Sequence, residues 1–268
     1  MEIYQSLILG IVQGLTELLP ISSSAHLFLI PWLFKWNIPD SFDIALHFGT
    51  LLAIGIFFFK DWIKLIVGGF NMAVKKKKTG EGRIFWYIVA ATIPGGIIGF
   101  VLDHYAEDIL TKPVIIAIAL IVMGIILYLV DKKSKSETEY QDLSFKQTFL
   151  IGLSQSLAFI PGVSRSGITM TTGRLLGVKR EAAAKYSFML SGPIVLAATI
   201  FKLGDFVDYF KVATMTGMIS FIIGVITSFI VGMIVIKFLL KYLQKGSFKV
   251  FAVYRMIIGV AVLLYIFL

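Results

Sequence analysis

The chain has 268 residues, of which 57% are hydrophobic and 15% charged, and its formal net charge at pH 7 is +9. Soluble domains carry about a quarter charged residues, so this apolar excess is too large for the core of a water-soluble protein. Cysteine is absent, which excludes disulfides and thiolate metal sites. We therefore expect an integral membrane protein whose excess lysine and arginine lie in loops beside the membrane and do not bind nucleic acid.

The apolar segments predict six transmembrane helices and two interrupted segments, since a helix needs about 20 residues to cross a bilayer. The predicted spans are residues 44–60, 84–102, 113–131, 186–202, 214–237 and 250–268. Residues 4–34 (hairpin 1) and 147–176 (hairpin 2) are also apolar, but each has proline and several serines at mid-length. Interrupted backbone at membrane depth is tolerated only inside protein or beside a cavity. Both segments are therefore predicted to be re-entrant helix–loop–helix hairpins.

The distribution of charge predicts how these segments are oriented. With both termini outside, the inner loops are 60–83, 131–146, 174–185 and 237–249, and the outer loops are 35–43, 103–112 and 202–211. The inner loops hold 19 of the 25 lysine and arginine residues, whereas the outer loops hold 4 basic and 7 acidic residues. Cytoplasmic loops of membrane proteins carry such an excess of basic residues. The run of four lysines at 75–78 is expected to face anionic lipid on the inner side.

The two halves of the chain resemble each other. The sequence GIVQGLTELLPISSS begins at Gly10, and GLSQSLAFIPGVSRS begins at Gly152, so that Gln13 corresponds to Gln155. The shared order of such matches favours an internal duplication.

The duplication divides one membrane domain, residues 1–268, into repeat A at 1–133 and repeat B at 144–268. Each repeat has one hairpin and three spans, an odd number, so the repeats are predicted to have opposite orientations. The predicted fold is an all-α polytopic membrane protein with an inverted repeat. In this arrangement the hairpins enter from opposite sides and meet near the midplane, where broken helices commonly form a binding site.

Few ionisable side chains lie within the predicted membrane segments. They are Glu17, His26, His47, Arg165 and Arg255. Charge at this depth is costly and normally faces a partner or a cavity, so each residue is a functional candidate. Two have structural alternatives: Arg255, one turn into the last span, could snorkel or brace a helix, and His47 could be a satisfied polar group packed near the hairpins.

The polar residues of hairpin 1 suit phosphate chemistry. Pro20 ends the first half-helix, and the serines at 22–24 begin the second, where the free N–H groups of a helix N-terminus attract a phosphate oxyanion. A carboxylate beside a hydroxyl can act as a general base, which makes Glu17 and a neighbouring serine candidates for catalysis. His26 could protonate a leaving oxygen or orient the phosphate.

Hairpin 2 adds a permanent positive charge. It reads PGVSRSGIT from Pro161 to Thr169. The guanidinium of Arg165 matches the geometry of phosphate, and the hydroxyls of Ser164, Ser166 and Thr169 are further donors. Two opposed half-helices with one arginine are expected to form an anion site.

The distinctive residues are Gln13 and Glu17, LPISSSAH ending at His26, and PGVSRSGIT ending at Thr169. With these motifs the chain resembles the bacterial undecaprenyl-diphosphatase family, also called the bacitracin-resistance family. The resemblance covers essentially the whole chain. It implies hydrolysis of undecaprenyl diphosphate to undecaprenyl phosphate and phosphate in the bacterial plasma membrane. This reaction recycles the lipid carrier for peptidoglycan synthesis, supports cell-wall biogenesis and cell shape, and confers resistance to bacitracin.

The resemblance also implies roles for individual residues. The catalytic residues would be Ser23 as nucleophile, Glu17, His26 and Arg165, and the phosphate-binding residues would be Gln13, Ser22, Ser24, Ser164, Ser166 and Thr169. Activity in the family is associated with Mg²⁺ or Ca²⁺, for which Glu17 is the candidate ligand. Because position 13 is Gln and not Glu, hairpin 1 offers one carboxylate.

The expected partners are the lipid substrate and membrane lipid, and a homodimer is one possible assembly. Since hairpin 1 enters from outside, we expect an outward-open site. The alternative function is a transporter or flippase for an isoprenyl phosphate or another anion, because inverted repeats with broken helices are common in transporters. A structural subunit for membrane assembly would leave Glu17 and Arg165 unexplained.

Overall fold

The computed structural model describes residues 1–105, 111–135 and 137–268, and it describes side chains for all of these except 99–105. Twelve α-helices lie within the described residues. They are α1 (Ile3–Thr16), α2 (Ser23–Phe34), α3 (Asp40–Phe57), α4 (Phe59–Val74), α5 (Gly80–Tyr105), α6 (Pro113–Lys133), α7 (Phe145–Ser154), α8 (Arg165–Leu175), α9 (Arg180–Phe201), α10 (Leu203–Val212), α11 (Met215–Leu243) and α12 (Lys249–Phe267). Short 3₁₀ segments occupy Tyr140–Asp142 and Gln155–Phe159.

Five of these helices are long and apolar enough to cross a membrane within the part of the chain that the structure describes. They are α3, α6, α9, α11 and α12, and each coincides with a predicted span. The remaining predicted span, 84–102, lies within α5, whose 26 residues would reach about 39 Å, longer than a hydrocarbon core of about 30 Å. The predicted outer loop 103–112 includes residues 106–110, which lie outside the described residues. The prediction of an all-α polytopic membrane protein is confirmed.

Two segments that the charge pattern predicts to be loops are helical. Within 60–83, residues 60–74 belong to α4 and residues 80–83 to α5; within 202–211, residues 203–211 belong to α10. Helices α4 and α10 each follow a break at the end of a span, at Phe58 and at Lys202. The prediction of loops was wrong because both segments are amphipathic: α4 exposes an apolar stripe that includes Phe59, Ile63 and Phe70 beside its lysines. Charge marks the membrane surface, but it does not exclude a helix there.

Both predicted hairpins are helix–break–helix units. Hairpin 1 consists of α1, a break at residues 17–22, and α2; hairpin 2 consists of α7, the second 3₁₀ segment, a turn, and α8. The second helix of each begins after a serine with positive φ, 76° at Ser22 and 73° at Ser164. This conformation is uncommon for a residue with a side chain. Each serine stabilises it by capping the helix, since its hydroxyl accepts the N–H of Ala25 or Gly167 at 3.3 and 3.0 Å.

The first helix of each hairpin packs against a long helix from the other half of the chain. Helix α1 lies along α11, and α7 lies along α5. Glycines permit the close approach: a Cβ at Gly14 would lie 2.6 Å from the Cβ of Val231, and a Cβ at Gly152 would overlap Ala91. Helices α6 and α12, which end the two halves, pack together. The inverted repeat stays a prediction, which these paired contacts support.

Asp131 joins four helices at the end of the molecule that the charge pattern places inside. Its Oδ1 accepts from the Nε atoms of Arg174 and Arg180, both at 2.8 Å, and its Oδ2 accepts the N–H of Phe248 at 3.0 Å. Asp131 and Arg174 are almost completely buried. Both residues belong to the last turns of α6 and α8 and not to loops, and a count of loop charges does not reveal which of them are paired in the fold.

Candidate active site

A cavity of about 320 Å³ lies where the two hairpins meet α3 and α9. Its polar lining residues come mainly from the hairpin breaks, and its apolar lining residues come largely from the two spans. The lining consists of Glu17, Ser23, Ser24, Ile44, His47, Gln155, Ala158, Phe159, Ser164, Arg165, Ile194, Val195, Ala198, Thr199 and Lys202. The cavity therefore places a charged end next to an apolar wall.

Glu17, which ends α1 and is 7% exposed, connects the two hairpins. Its Oε1 forms a short ion pair with Nη2 of Arg165. Its Oε2 accepts hydrogen bonds from the Ser23 hydroxyl at 2.5 Å and from Nε2 of Gln13 at 3.3 Å. The structure thus brings three predicted site residues together: the Glu17 carboxylate contacts the candidate nucleophile of hairpin 1 and the arginine of hairpin 2.

His47 of α3 is the second basic group beside Glu17, with its Nε2 3.3 Å from Glu17 Oε2. The other ring nitrogen, Nδ1, donates to the backbone oxygen of Asp43 at 2.7 Å. Both ring nitrogens face oxygen acceptors, an arrangement that the doubly protonated imidazolium satisfies fully. A buried carboxylate requires charged or hydrogen-bonding partners, and Glu17 has them on both oxygens.

The N-terminal ends of α2 and α8 converge on the cavity. Ser23 is the first residue of α2, and Arg165 is the first residue of α8. Helix N-termini carry a partial positive charge and free N–H groups, so two of them favour an anion between them. Nη1 of Arg165 is buried without a hydrogen-bond partner among the described residues. One charged donor of a residue that lines the cavity is therefore unsatisfied in this structure.

Five of the predicted site residues do not line the cavity as the structure describes it: Gln13 is buried and donates to Glu17, and the other four stabilise the hairpins. Ser22 is the buried cap of α2. His26 donates from Nδ1 to Ser22 O at 2.7 Å, and its Nε2 contacts the hydroxyl of Tyr254 at 2.8 Å. Ser166 donates to the backbone oxygen of Leu19 at 3.0 Å.

The fourth of these residues, Thr169, donates to the backbone oxygen of Arg165 at 2.7 Å and contacts the hydroxyl of Ser187 at 2.8 Å. Hydroxyl and imidazole groups bond to backbone as readily as to ligands. Motif membership alone therefore does not place such a side chain in the cavity.

Arg255 is completely buried and contacts both hairpin breaks. Its Nη1 donates to Pro20 O at 3.1 Å, and its Nη2 donates to Gly162 O at 2.7 Å and to Val163 O at 2.9 Å. Of the alternatives for this residue, bracing is therefore correct, although it braces two turns and not a helix.

His47 and Gln155 are polar lining residues that were not among the predicted site residues. The sequence leaves two interpretations of His47, a functional candidate or a packed polar group; in the structure it contacts Glu17, and its signal is an ionisable side chain within a predicted span. Gln155 lines the cavity and donates to Ala91 O at 3.1 Å. Its signal was the correspondence with Gln13 in the repeat.

A divalent cation has a limited set of protein ligands in this cavity. The described residues contain no cluster of three or more His, Cys, Asp or Glu residues suited to a metal. Besides Glu17, a candidate is Gln13, which does not line the cavity but donates to Glu17 and has a buried amide oxygen without a hydrogen-bond partner among them. Mg²⁺ is commonly bound through one or two carboxylates together with substrate phosphates. Glu17 and Gln13 therefore fit the protein part of such a site.

Comparisons with known proteins cover nearly the whole chain. The family model described as bacitracin resistance protein BacA matches residues 6–261. The undecaprenyl-diphosphatase of Pelotomaculum thermopropionicum is 50% identical over 98% of this chain and 96% of that protein. The undecaprenyl-diphosphatase of Caldicellulosiruptor bescii is 45% identical, and that of Desulforudis audaxviator is 44% identical, each over 98% of this chain and 97% of the relative. The matched region includes both hairpins.

Proposed function

This chain belongs to the bacitracin resistance protein BacA family, and we propose that it hydrolyses undecaprenyl diphosphate to undecaprenyl phosphate and inorganic phosphate. The observation that carries the proposal is the contact of Glu17 with both Ser23 and Arg165 beside one cavity. The hydroxyl is a candidate nucleophile, the carboxylate a base for it, and the guanidinium a positive charge that stabilises a transferring phosphoryl group. The reaction returns the lipid carrier to peptidoglycan synthesis, which connects the chain with bacitracin resistance.

Substrate binding begins with exchange of partners at Arg165. Without substrate, Arg165 pairs with Glu17. The terminal phosphate has the same bidentate geometry as a carboxylate and carries more charge, so it competes for the guanidinium. Nη1 of Arg165 and the N-terminal ends of α2 and α8 supply further donors. Occupation of Arg165 by phosphate leaves Glu17 available as the base for Ser23.

Ser23 is the nucleophile in this proposal. Its Oγ attacks the terminal phosphorus while its proton moves to Glu17 Oε2, which lies 2.5 Å away. The bond between that phosphorus and the bridging oxygen breaks, and undecaprenyl phosphate leaves with the electron pair. The proton on Glu17 leaves with the product. Water then attacks the phosphoserine, Glu17 takes its proton and returns it to Ser23 Oγ, and inorganic phosphate is released.

The apolar wall of the cavity suits the isoprenoid chain next to the diphosphate. Ile44, Ile194, Val195 and Ala198 form this wall. Residues 194–202 are near the C-terminal end of α9, the end that the charge distribution places outside. This supports an outward-open site in a multi-pass protein of the bacterial plasma membrane with both termini outside. The homodimer stays a prediction.

A Mg²⁺ or Ca²⁺ ion would be held by Glu17 and the amide oxygen of Gln13 together with diphosphate oxygens. When bound, such an ion neutralises part of the negative charge on the diphosphate. Arg165 and the helix N-termini do the same from the side of the protein.

The products formed in ¹⁸O-labelled water test the proposal. Purified protein is incubated with undecaprenyl diphosphate in detergent micelles, with added Mg²⁺, added Ca²⁺ or a chelator. We expect undecaprenyl phosphate without label and inorganic phosphate carrying one ¹⁸O atom, because the bond between terminal phosphorus and bridging oxygen is cleaved. Undecaprenol with pyrophosphate would contradict the proposal. No product under any condition, with lipid movement across liposomes, would favour the transporter.

A further inference from the structure

We propose that Arg255 is a positioning residue for this hydrolysis, because it binds the interrupted backbone of both hairpins and thereby fixes the position of Ser23 relative to Arg165. This inference rests on the proposed function. Arg255 itself does not line the cavity as described. Its effect on the reaction therefore passes through the two breaks.

The carbonyl groups that Arg255 binds lie immediately before α2 and α8, the two helices whose N-termini lie at the cavity. Pro20 is three residues before Ser23, and Gly162 and Val163 are three and two residues before Arg165. The planar guanidinium of Arg255 donates hydrogen bonds to these three carbonyl oxygens at 3.1, 2.7 and 2.9 Å. Carbonyls in interrupted backbone need such a donor at membrane depth, where water does not satisfy them. The same contacts that satisfy them also fix the separation of the two breaks.

The site around Arg255 is shaped for a guanidinium. A Cβ at Gly167 would lie 2.6 Å from Nη1 of Arg255, so glycine at this position leaves room for the side chain. Arginine offers five donors in a fixed plane, whereas the lysine ammonium is a compact point charge on a flexible stem. Three carbonyls on two separate turns therefore match arginine better than lysine.

The adjacent residue extends this support to hairpin 1. Tyr254 contacts Nε2 of His26 at 2.8 Å, and Nδ1 of the same ring donates to Ser22 O. Helix α12 thus contacts the start of α2 through Tyr254 and both breaks through Arg255. A shift of about 1 Å in reacting groups can lower a rate by about 10²-fold. Loss of Arg255 is therefore expected to lower kcat far more than it changes KM.

The test compares Arg255→Met and Arg255→Lys with Arg174→Met as the matched control. Arg174 is equally buried and also donates to backbone, but it binds Asp131 and Val178 O away from the breaks. Hydrolysis of undecaprenyl diphosphate is measured per folded protein, and hydrogen exchange is followed in peptides covering 17–24 and 160–167 of the full chain. We expect Arg255→Met to lower kcat by about 100-fold, to change KM by less than about threefold, and to accelerate exchange in both peptides.

The two other variants sharpen the test. Arg255→Lys should keep the fold and fall between wild type and Arg255→Met in kcat and in both exchange rates. Arg174→Met should unfold at a lower temperature yet keep wild-type exchange at both breaks. A wild-type kcat in Arg255→Lys would overturn the proposal. So would faster exchange of Arg255→Met in only one peptide or in neither. If wild type releases no phosphate, the proposed function fails, and the exchange rates still decide whether Arg255 joins the two breaks.

Discussion

Replacing Ser23 by alanine removes one hydroxyl oxygen from the cavity and adds nothing. That oxygen lies 2.5 Å from Glu17 Oε2. The neighbouring Ser24 also lines the cavity, but its hydroxyl contacts Ser22 Oγ at 3.2 Å. Ser24→Ala is therefore a matched control, which removes the same atom from the next residue of the same helix.

The expected magnitude follows from the contact of Ser23 with Glu17. A positioned general base contributes about 10²- to 10⁴-fold to a rate, and alanine loses both this contribution and the covalent route. We expect kcat to fall at least about 10³-fold in Ser23→Ala, equivalent to about 4 kcal/mol. Ser24→Ala loses at most one hydrogen bond to phosphate, about 1.5 kcal/mol, and should lower kcat by no more than about tenfold. Glu17 keeps three partners in Ser23→Ala, so the variant should fold.

The assay is phosphate release from undecaprenyl diphosphate at saturating substrate, with thermal unfolding measured on the same preparations. KM should change little in Ser23→Ala, because Arg165 and the helix N-termini remain. The nucleophile assignment would be refuted if Ser23→Ala kept kcat within about tenfold of wild type. Loss of activity in Ser24→Ala alone would assign the nucleophile to Ser24.

Three further variants test the surrounding contacts. Glu17→Gln should abolish detectable turnover and also lower the free energy of unfolding by about 3 kcal/mol, because the partly buried Arg165 loses its carboxylate partner; calorimetry showing unchanged stability would contradict the ion pair. Arg165→Lys should raise KM and lower kcat, since an ammonium cannot bind phosphate as a fork, and steady-state kinetics showing neither change would refute its binding role. Asp131→Asn should lower the unfolding temperature while kcat per folded molecule stays within about threefold of wild type. This result would show that the contacts of Asp131 with four helices stabilise the fold without affecting the cavity, and a larger loss of kcat would contradict it.

Hydropathy and loop charge were sufficient to predict the spans and the two interrupted segments, because lipid imposes a strict length and composition on a helix that crosses it. Glu17 and Arg165 could also be identified from the sequence, since both lie where charge is costly. Their contact spans 148 positions along the chain. The inverted-repeat hypothesis predicts that Glu17 and Arg165 lie close together, because it places both hairpins at the same depth in the membrane.

Other features had no signature in the sequence. The partners of Arg255 are backbone carbonyls, which every residue has, so nothing in the sequence distinguishes Pro20 and Gly162 as acceptors. His26 and Thr169 belong to conspicuous polar motifs, but their side chains bind backbone or a neighbouring hydroxyl group. Asp131 looked like an ordinary loop charge because its arginine partners lie far along the chain.

A double-mutant cycle on phosphate release tests most directly whether the two hairpins form one active site. The four proteins are wild type, Ser23→Ala, Arg165→Met and the double variant, each assayed with undecaprenyl diphosphate. Residues that act as a unit show strongly non-additive losses. We predict that the double variant is no more than about tenfold slower than the slower single variant. Losses that multiply fully would show that Ser23 and Arg165 act independently and would contradict the shared site.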